Sequence, residues 1–318
     1  MNKPLVSIVL ATYNAQKYLN QQLDSILKQT YDNIEIIICD DNSTDGTIAI
    51  LNEYQKLYPN IYIYKNSSNL GVVKNFEKCI NLANGNYIAL SDQDDIWRLD
   101  KIEIQMDYML KAEYKNPNKA ILVHSDLEMI AKNGNLLYNS YMSYKNYDIS
   151  LKRDLSYILG PCSVMGNTIL INRRLKQLAL PFPPILEVHD YWLAVINELY
   201  GYRITIKESL VSYRIHDDNV SNSQTKLQPK LSNLLGSIYK RDFKLPFLDI
   251  KRDKTLRYLL DKYELSRDDK DIILHFLKYL EWTENRFKLF FILIKFSFLK
   301  KGFIYRLGVF LGLILKKV

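Results

Sequence analysis

The sequence predicts an α/β protein with a Rossmann-like, mostly parallel central sheet flanked by helices, and three observations predict it. Compact apolar runs alternate with stretches of helical period through the first hundred residues, the pattern of strands buried on both faces. Each of the first four runs ends in a cluster of Asp, Asn, Ser, Thr or Gly. Ligands of such sheets bind beyond the carboxyl ends of the strands, so four such ends read as one composite polar site. Finally, 318 residues that are 47% apolar, 25% charged and 12% aromatic supply a large core and exclude a disordered, collagen-like or disulfide-scaffold chain.

Taken in order, the first strand is expected over 6–11, followed by a helix with Leu19, Leu23, Ile26 and Leu27 on one face. The second strand, 34–39, gives way to Asp40-Asp41-Asn42-Ser43-Thr44-Asp45-Gly46, after which Ile48, Leu51, Tyr54 and Leu57 mark a helix. The third, 61–64, precedes a helix carrying Val72, Phe76, Ile80 and Ala83, and the fourth, 87–90, ends at Ser91-Asp92. Residues 101–201 complete the sheet, with a helix over 102–110, a strand over 120–124, a hairpin turn at Asn133-Gly134-Asn135 and a strand near 165–171. Pro181, Pro183 and Pro184 interrupt regular structure before a helix that starts near His189-Asp190, and 210–215 is again strand-like. From about Gln224 the pattern turns helical, so 1–223 reads as one domain and 224–318 as a helical C-terminal region.

The net charge of +8 is local. From Asn285 onward Arg286, Lys288, Lys295, Lys300, Lys301, Arg306, Lys316 and Lys317 meet no acidic residue, which leaves 35 basic and 35 acidic groups before them. The main domain therefore gives no reason to expect a nucleic-acid partner. The longest uncharged stretch of the tail, 307–315, is far shorter than the roughly 20 residues that span a bilayer. Apolar faces punctuated by Lys and Arg suit helices lying in the interface of an anionic membrane; a helix packed on the core is the alternative. Cys39, Cys79 and Cys162 are scattered and lack zinc-ligand spacing, and no export signal opens the chain, so a cytoplasmic setting is expected.

Asp92-Gln93-Asp94-Asp95 puts three carboxylates at the end of an apolar strand, where their repulsion is costly without a cation. One or two carboxylates plus a substrate diphosphate suit Mg²⁺ or Mn²⁺. Taken alone, a polar turn capping the helix that begins near Leu99 explains the cluster as well. The pair Asp40-Asp41 is similarly open between a cap and a carboxylate that accepts the imide N–H of uracil or thymine. No Gly-rich phosphate loop occurs, so a diphosphate here would be held by metal and side chains.

The ordered set of segments 6–14, 40–47, Asn69-Leu70-Gly71, 83–88 and Asp92-Gln93-Asp94-Asp95 resembles the family 2 inverting glycosyltransferases with the GT-A fold. The resemblance covers about the first 110 residues strongly and continues more weakly to about Asn222. Ser91 to Trp97, His189-Asp190-Tyr191-Trp192 and the run from Tyr213 to Asn219 resemble its rhamnosyltransferase-like branch, which builds bacterial surface polysaccharides. The resemblance implies a nucleotide-binding half over 1–100 and an acceptor-side half over 101–223. It implies that Ala11, Thr12 and Tyr13 line the nucleotide pocket and that Asp41 contacts the base, with Lys74 nearby as a Lys where Arg is commoner. Asp94 is implied as the metal ligand and Asp92 as the residue nearer the ribose, with Asp95 able to replace either. No residue of 160–170 is carried over.

Inversion requires one carboxylate near the acceptor hydroxyl, and Asp190 is the candidate base, against the reading that it only caps its helix. His216 is a candidate for the metal or the diphosphate, and His189 for orienting Asp190. The expected reaction is transfer of a sugar, L-rhamnose from dTDP-rhamnose, to a glycan or polyprenyl-linked acceptor on the cytoplasmic face of a bacterial plasma membrane. UDP-hexose and UDP-N-acetylhexosamine donors use the same residues. A sugar-phosphate nucleotidyltransferase is the alternative of another class, but 11–18 contains no Gly for its phosphate loop.

Overall fold

The computed structural model describes residues 3–145, 147, 153–217, 250–280, 286–295, 306–307 and 310–311. The expected boundary at 223/224 and much of the basic tail, including Lys300, Lys301, Lys316 and Lys317, lie outside the described residues.

The first half follows the predicted alternation: β1 (Val6–Thr12), α1 (Leu19–Leu27), β2 (Ile34–Asp40), α2 (Thr47–Leu57), β3 (Ile61–Lys65), α3 (Val72–Leu82) and β4 (Tyr87–Ser91). Then come β5 (Ile96–Trp97), α4 (Lys101–Lys115), β6 (Ala120–Ile130), β7 (Leu136–Tyr138), α5 (Tyr141–Tyr144) and α6 (Leu155–Leu159). A 3-10 turn (Gly166–Thr168) leads to β8 (Leu170–Asn172), α7 (Arg173–Ala179), α8 (His189–Tyr200) and β9 (Gly201–Arg214). The later helices are α9 (Ile250–Lys262), α10 (Arg267–Leu280) and α11 (Arg286–Lys295).

The strands form one sheet in the order β3-β2-β1-β4-β8-β6-β9-β5, with β7 added to β6. The four strands from β3 to β4 are parallel, as the continuous apolar runs require. The second half is mixed: β8 runs antiparallel to β4 and β6, β6 and β9 are parallel, and β5 is antiparallel to β9. Alternate residues of each strand feed opposite layers. Ile8, Leu10, Ile36, Ile38 and Ala89 pack under α1, α2 and α4, whereas Val9, Ile37, Cys39, Ile88 and Leu90 pack with α3, α7 and α8. The second layer continues into Leu256, Leu259, Ile273 and Phe276, so α9 and α10 cover the same core.

Several elements outrun their sequence signals for identifiable reasons. Helix α4 extends to Lys115 because Met106, Met109 and Ala112 prolong its buried stripe. Strand β9 begins at Gly201, nine residues before its apolar run, because it pairs with β6 from Ala120 onward while burying the polar Arg203 and Thr205.

Candidate functional site

The four polar strand ends do converge, and most of their side chains are spent joining one another. Leaving β1, Asn14 turns through a left-handed conformation (φ 48°) that Asn tolerates, accepting the Thr44 N–H at 2.9 Å while its own N–H meets Ser43 Oγ at 2.9 Å. Asp40 is fully buried and accepts from the Ser43 N–H and Ser43 Oγ, and from the Thr12 hydroxyl at 3.1 Å. Gln93 grips the backbone of Tyr13 from across the sheet: its Oε1 accepts the Tyr13 N–H at 2.7 Å and its Nε2 donates to the Tyr13 carbonyl at 3.2 Å. That clasp ties the backbone of Tyr13 to the acidic loop and leaves its ring exposed.

Asp41 is buried at the end of β2. Its Oδ1 accepts from Asn66 Nδ2 at 2.8 Å and the Leu70 N–H at 2.7 Å, and its Oδ2 accepts the Gly71 N–H at 2.8 Å. One carboxylate thus shapes the whole 66–71 loop, and Gly71 (φ 80°) supplies the turn into α3 that a side chain would strain. Lys74, one turn into α3, pairs with Glu77 at 2.6 Å. Ala11 sits half-buried at the end of β1, opposite Cys39 of β2.

The three carboxylates after β4 divide sharply. Asp94 is partly exposed, and its Oδ2 stands 2.8 Å from His216 Nε2, just beyond β9. Asp92 is half-buried; burial, helped by the charges of Asp94 and Asp190, pushes its carboxyl up to about 7. Asp95 is placed otherwise than expected of a metal ligand. It is fully buried, Oδ2 accepts from Asn167 Nδ2 at 2.5 Å and Oδ1 accepts the Arg214 N–H at 3.1 Å, so both oxygens point into the protein. Burial holds its carboxyl well above the usual range. Arg214 braces this corner of the site. Its buried guanidinium donates to the Asp94 carbonyl at 3.0 Å and to Gln21 Oε1 at 2.6 Å, and stacks 4.6 Å over the Tyr18 ring.

Asp190 opens α8, a helix buried on nearly every side. Its Oδ1 accepts the Tyr191 N–H at 2.6 Å and its Oδ2 the Gly166 N–H at 3.0 Å. A Cβ on Gly166 would lie 3.3 Å from that Oδ2, so glycine permits the close approach. Each carboxylate oxygen keeps a lone pair for a further donor. Among the described residues His189 makes no hydrogen bond to Asp190 and its buried Nε2 meets no partner; its ring stacks on Phe76 at 4.1 Å, and burial lowers its pKa.

Among the described residues no three His, Cys, Asp or Glu side chains converge closely enough to hold a metal on their own. The Asp94–His216 pair nevertheless fits a divalent ion shared with substrate. Their 2.8 Å separation is close to the spacing of adjacent ligands around an ion with bonds of about 2.0–2.1 Å. The raised Asp92 also marks negative charge that the chain leaves uncompensated. Gly166, Asn167 and Gln93 carry none of the acidic signal that singles out a site in sequence, yet they fix Asp190, Asp95 and Tyr13 in place.

Residues 7–173 match the family model described as Glycosyl transferase family 2. The chain is 31% identical to the UDP-Glc:alpha-D-GlcNAc-diphosphoundecaprenol beta-1,3-glucosyltransferase WfaP of Escherichia coli, over 74% of this chain and 86% of that protein. The crystal structure of S. aureus TarS in complex with UDP-GlcNAc is similar with a TM-score of 0.60 at 17% identity, covering 92% of this chain and 80% of that one. The mannosyltransferase PcManGT from Pyrobaculum calidifontis, in complex with GDP-Man and Mn2+, is similar with a TM-score of 0.56 at 16% identity, covering 93% and 74%. At these identities the solved structures speak to the fold, which is the GT-A arrangement expected from the sequence.

Proposed function

Because the chain belongs to glycosyl transferase family 2, we propose that it moves a hexose, with inversion, from a pyrimidine nucleoside diphosphate to a glycan carried on a lipid diphosphate. The observation that carries this reading is the placement of Asp190. It is held by two backbone N–H groups at the head of a buried helix, with its charge reaching Asp92 at the end of β4. This supports Asp190 as the base and Asp92 with Asp94 as the leaving-group side of the same site.

In this reading Asp190 takes the proton of the acceptor hydroxyl as its oxygen forms a bond to the anomeric carbon. The bond from that carbon to the diphosphate breaks, and its electron pair leaves with the nucleoside diphosphate. Asp94 and His216 would hold a divalent ion, Mn²⁺ or Mg²⁺, and that ion would supply charge neutralisation for the departing diphosphate. Asp92 faces the ribose. Ala11, Thr12 and Tyr13 surround the base, with the exposed Tyr13 ring against its face, while Asp41 serves the same pocket through the 66–71 loop and Lys74 through charge.

UDP-glucose stands ahead of dTDP-L-rhamnose as donor, because the E. coli relative's name specifies UDP-Glc, whereas the rhamnose reading rests on the motifs at 91–97, 189–192 and 213–219. The lipid diphosphate acceptor has the same support. We further place the protein on the cytoplasmic face of the membrane, held peripherally by its tail. On α11, Phe287 and Phe291 are 56% and 66% exposed beside Lys288 and Lys295, and no helix among the described residues is long and apolar enough to cross a membrane. A transfer assay with UDP-glucose, UDP-N-acetylglucosamine and dTDP-rhamnose on a synthetic N-acetylglucosaminyl diphosphoryl lipid tests the reading. Turnover with dTDP-rhamnose alone overturns the donor, and turnover with none overturns the reading itself.

A further inference from the structure

We propose that the cleft at the amino ends of β4 and β6 is a second ligand site, one that takes the phosphate group of a small molecule or of a lipid headgroup. The cleft has a volume of about 660 Å³ and lies between the start of β4, the approach to β6 and the first turn of α7. That volume suits a small organic ligand. Tyr87 and Asn172, paired across β4 and β8, place it at the end of the sheet opposite Asp92 and Asp94. The length of β4, Tyr87–Ser91, at roughly 3.3 Å per residue, separates the two ends.

The floor of the cleft is already satisfied. Asn172 is buried, and its Oδ1 accepts the Ile121 N–H at 3.0 Å and the Leu175 N–H at 3.1 Å. Its Nδ2 donates to Glu113 Oε1 at 2.9 Å and to the Lys119 carbonyl at 3.0 Å. The other oxygen of Glu113 accepts the Tyr87 hydroxyl at 2.6 Å. The rim is different. Lys119 comes from the loop before β6, and Arg173 and Arg174 come from α7. All three are exposed, and among the described residues none of them forms a salt bridge. Arg173 makes only a long contact, donating to Asn86 Oδ1 at 3.4 Å. Three cations therefore face the single carboxylate of Glu113, and a cleft with such an excess of one sign concentrates ions of the other. Further along α7, burial and the charge of Arg173 together hold the Lys176 ammonium below its usual range, which is the mark of positive charge without a counter-ion.

These side chains match phosphate in charge and in shape. A guanidinium offers two parallel N–H donors to a pair of phosphate oxygens, and Lys119 adds a third charge from the facing element. Phosphate carries more charge and more acceptor oxygens than a carboxylate, as three cations drawn from two elements require. Asn118 and Gln177, on the same rim, are neutral amides able to meet hydroxyl groups beside the phosphate. Neither Asp190 nor the donor pocket contributes a residue, so this site is independent of the transfer reaction.

Calorimetry of the full chain with inorganic pyrophosphate in the presence of EDTA reads the cleft, because chelation withdraws any metal-dependent binding at Asp94 and His216. Arg174→Ala and Lys119→Ala should each weaken binding about tenfold, and the double variant more. Lys56→Ala, which removes an exposed cation from α2, should leave it unchanged. No binding by the wild-type chain, wild-type affinity in the double variant, or an equal loss in Lys56→Ala overturns the site. Sedimentation with phosphatidylglycerol vesicles separates the two sources of phosphate. A loss in the Lys119→Ala, Arg174→Ala variant beyond that of Lys56→Ala assigns the cleft to a lipid headgroup, and an equal result for the two assigns it to a soluble ligand.

Discussion

His216 Nε2 and Asp94 Oδ2 stand 2.8 Å apart, joining the end of β9 to the loop after β4 across 122 positions of sequence. If the pair holds a divalent ion, chelation should abolish transfer and added Mn²⁺ or Mg²⁺ should restore it. His216→Ala should then raise the metal concentration needed for half-activity by about 10- to 100-fold, a loss typical of groups that set a metal site. Titration of activity against Mn²⁺ checks this, and an unchanged midpoint would remove His216 from the site.

Replacing Asp190 by Asn keeps one of the two acceptors that meet the Tyr191 and Gly166 N–H groups, turns an NH2 towards the other and removes the base. Transfer should fall by about 10²–10⁴, the usual contribution of a positioned base. Binding of the nucleotide, followed by calorimetry with UDP and Mn²⁺, should stay within a factor of about two, since Asp190 does not touch that pocket in the proposed arrangement. Residual transfer near the wild-type rate would return Asp190 to the role of a helix cap.

Asp41 is the residue whose removal should couple stability to donor binding. It satisfies three donors of the 66–71 loop from a buried position. Asp41→Ala leaves the Leu70 N–H without its acceptor, while Gly71 N–H and Asn66 Nδ2 keep Asn69 Oδ1 and Asn75 Oδ1, and should cost about 1–3 kcal/mol in urea unfolding while raising the donor KM. A variant with a normal unfolding midpoint and a raised donor KM would instead point to direct contact with the base.

These residues show how far the sequence could be read. The parallel half of the sheet and the order of its strand ends were legible because strands buried on both faces leave unbroken apolar runs, as in β1 and β2. The acidic positions were legible too, but not their division of labour. Asp40, Asp41 and Asp95 turn their oxygens onto N–H and hydroxyl groups of the protein, and in sequence such a carboxylate looks the same as Asp94, which stays partly exposed and meets His216. Gly166 and Asn167 escaped notice because their partners, Asp190 and Asp95, are 24 and 72 positions away. Nothing local records those pairings.

The tail should bind lipid by charge as much as by apolar contact. The stretch from Asn285 to the end carries eight basic residues and no acidic one. Each basic group near an anionic surface contributes about 1 kcal/mol, and the attraction decays over roughly 10 Å at 0.1 M salt. Sedimentation with vesicles should therefore be strong with phosphatidylglycerol, weak with phosphatidylcholine alone and reduced by salt. Equal binding to both lipids would count against this role for the basic residues.

Lys101 gives the fold a pH dependence with a definite sign. It opens α4 fully buried, its Nζ 3.8 Å from the centre of the Trp97 ring and 2.8 Å from Gln105 Oε1, and burial lowers its pKa from 10.5 to about 7. Between those two values the unfolded chain holds a proton that the folded chain has released, so this group makes stability rise with pH across that window. Below about pH 7 both states are protonated, and the folded state carries the full cost of a buried ammonium. Lys101→Met removes the titration while filling similar volume. The stability of the variant relative to the wild type should therefore be greatest near pH 6 and decline steadily towards about pH 9, as read from urea midpoints at each pH. Parallel curves for the two proteins would mean that Lys101 keeps its proton in the folded state.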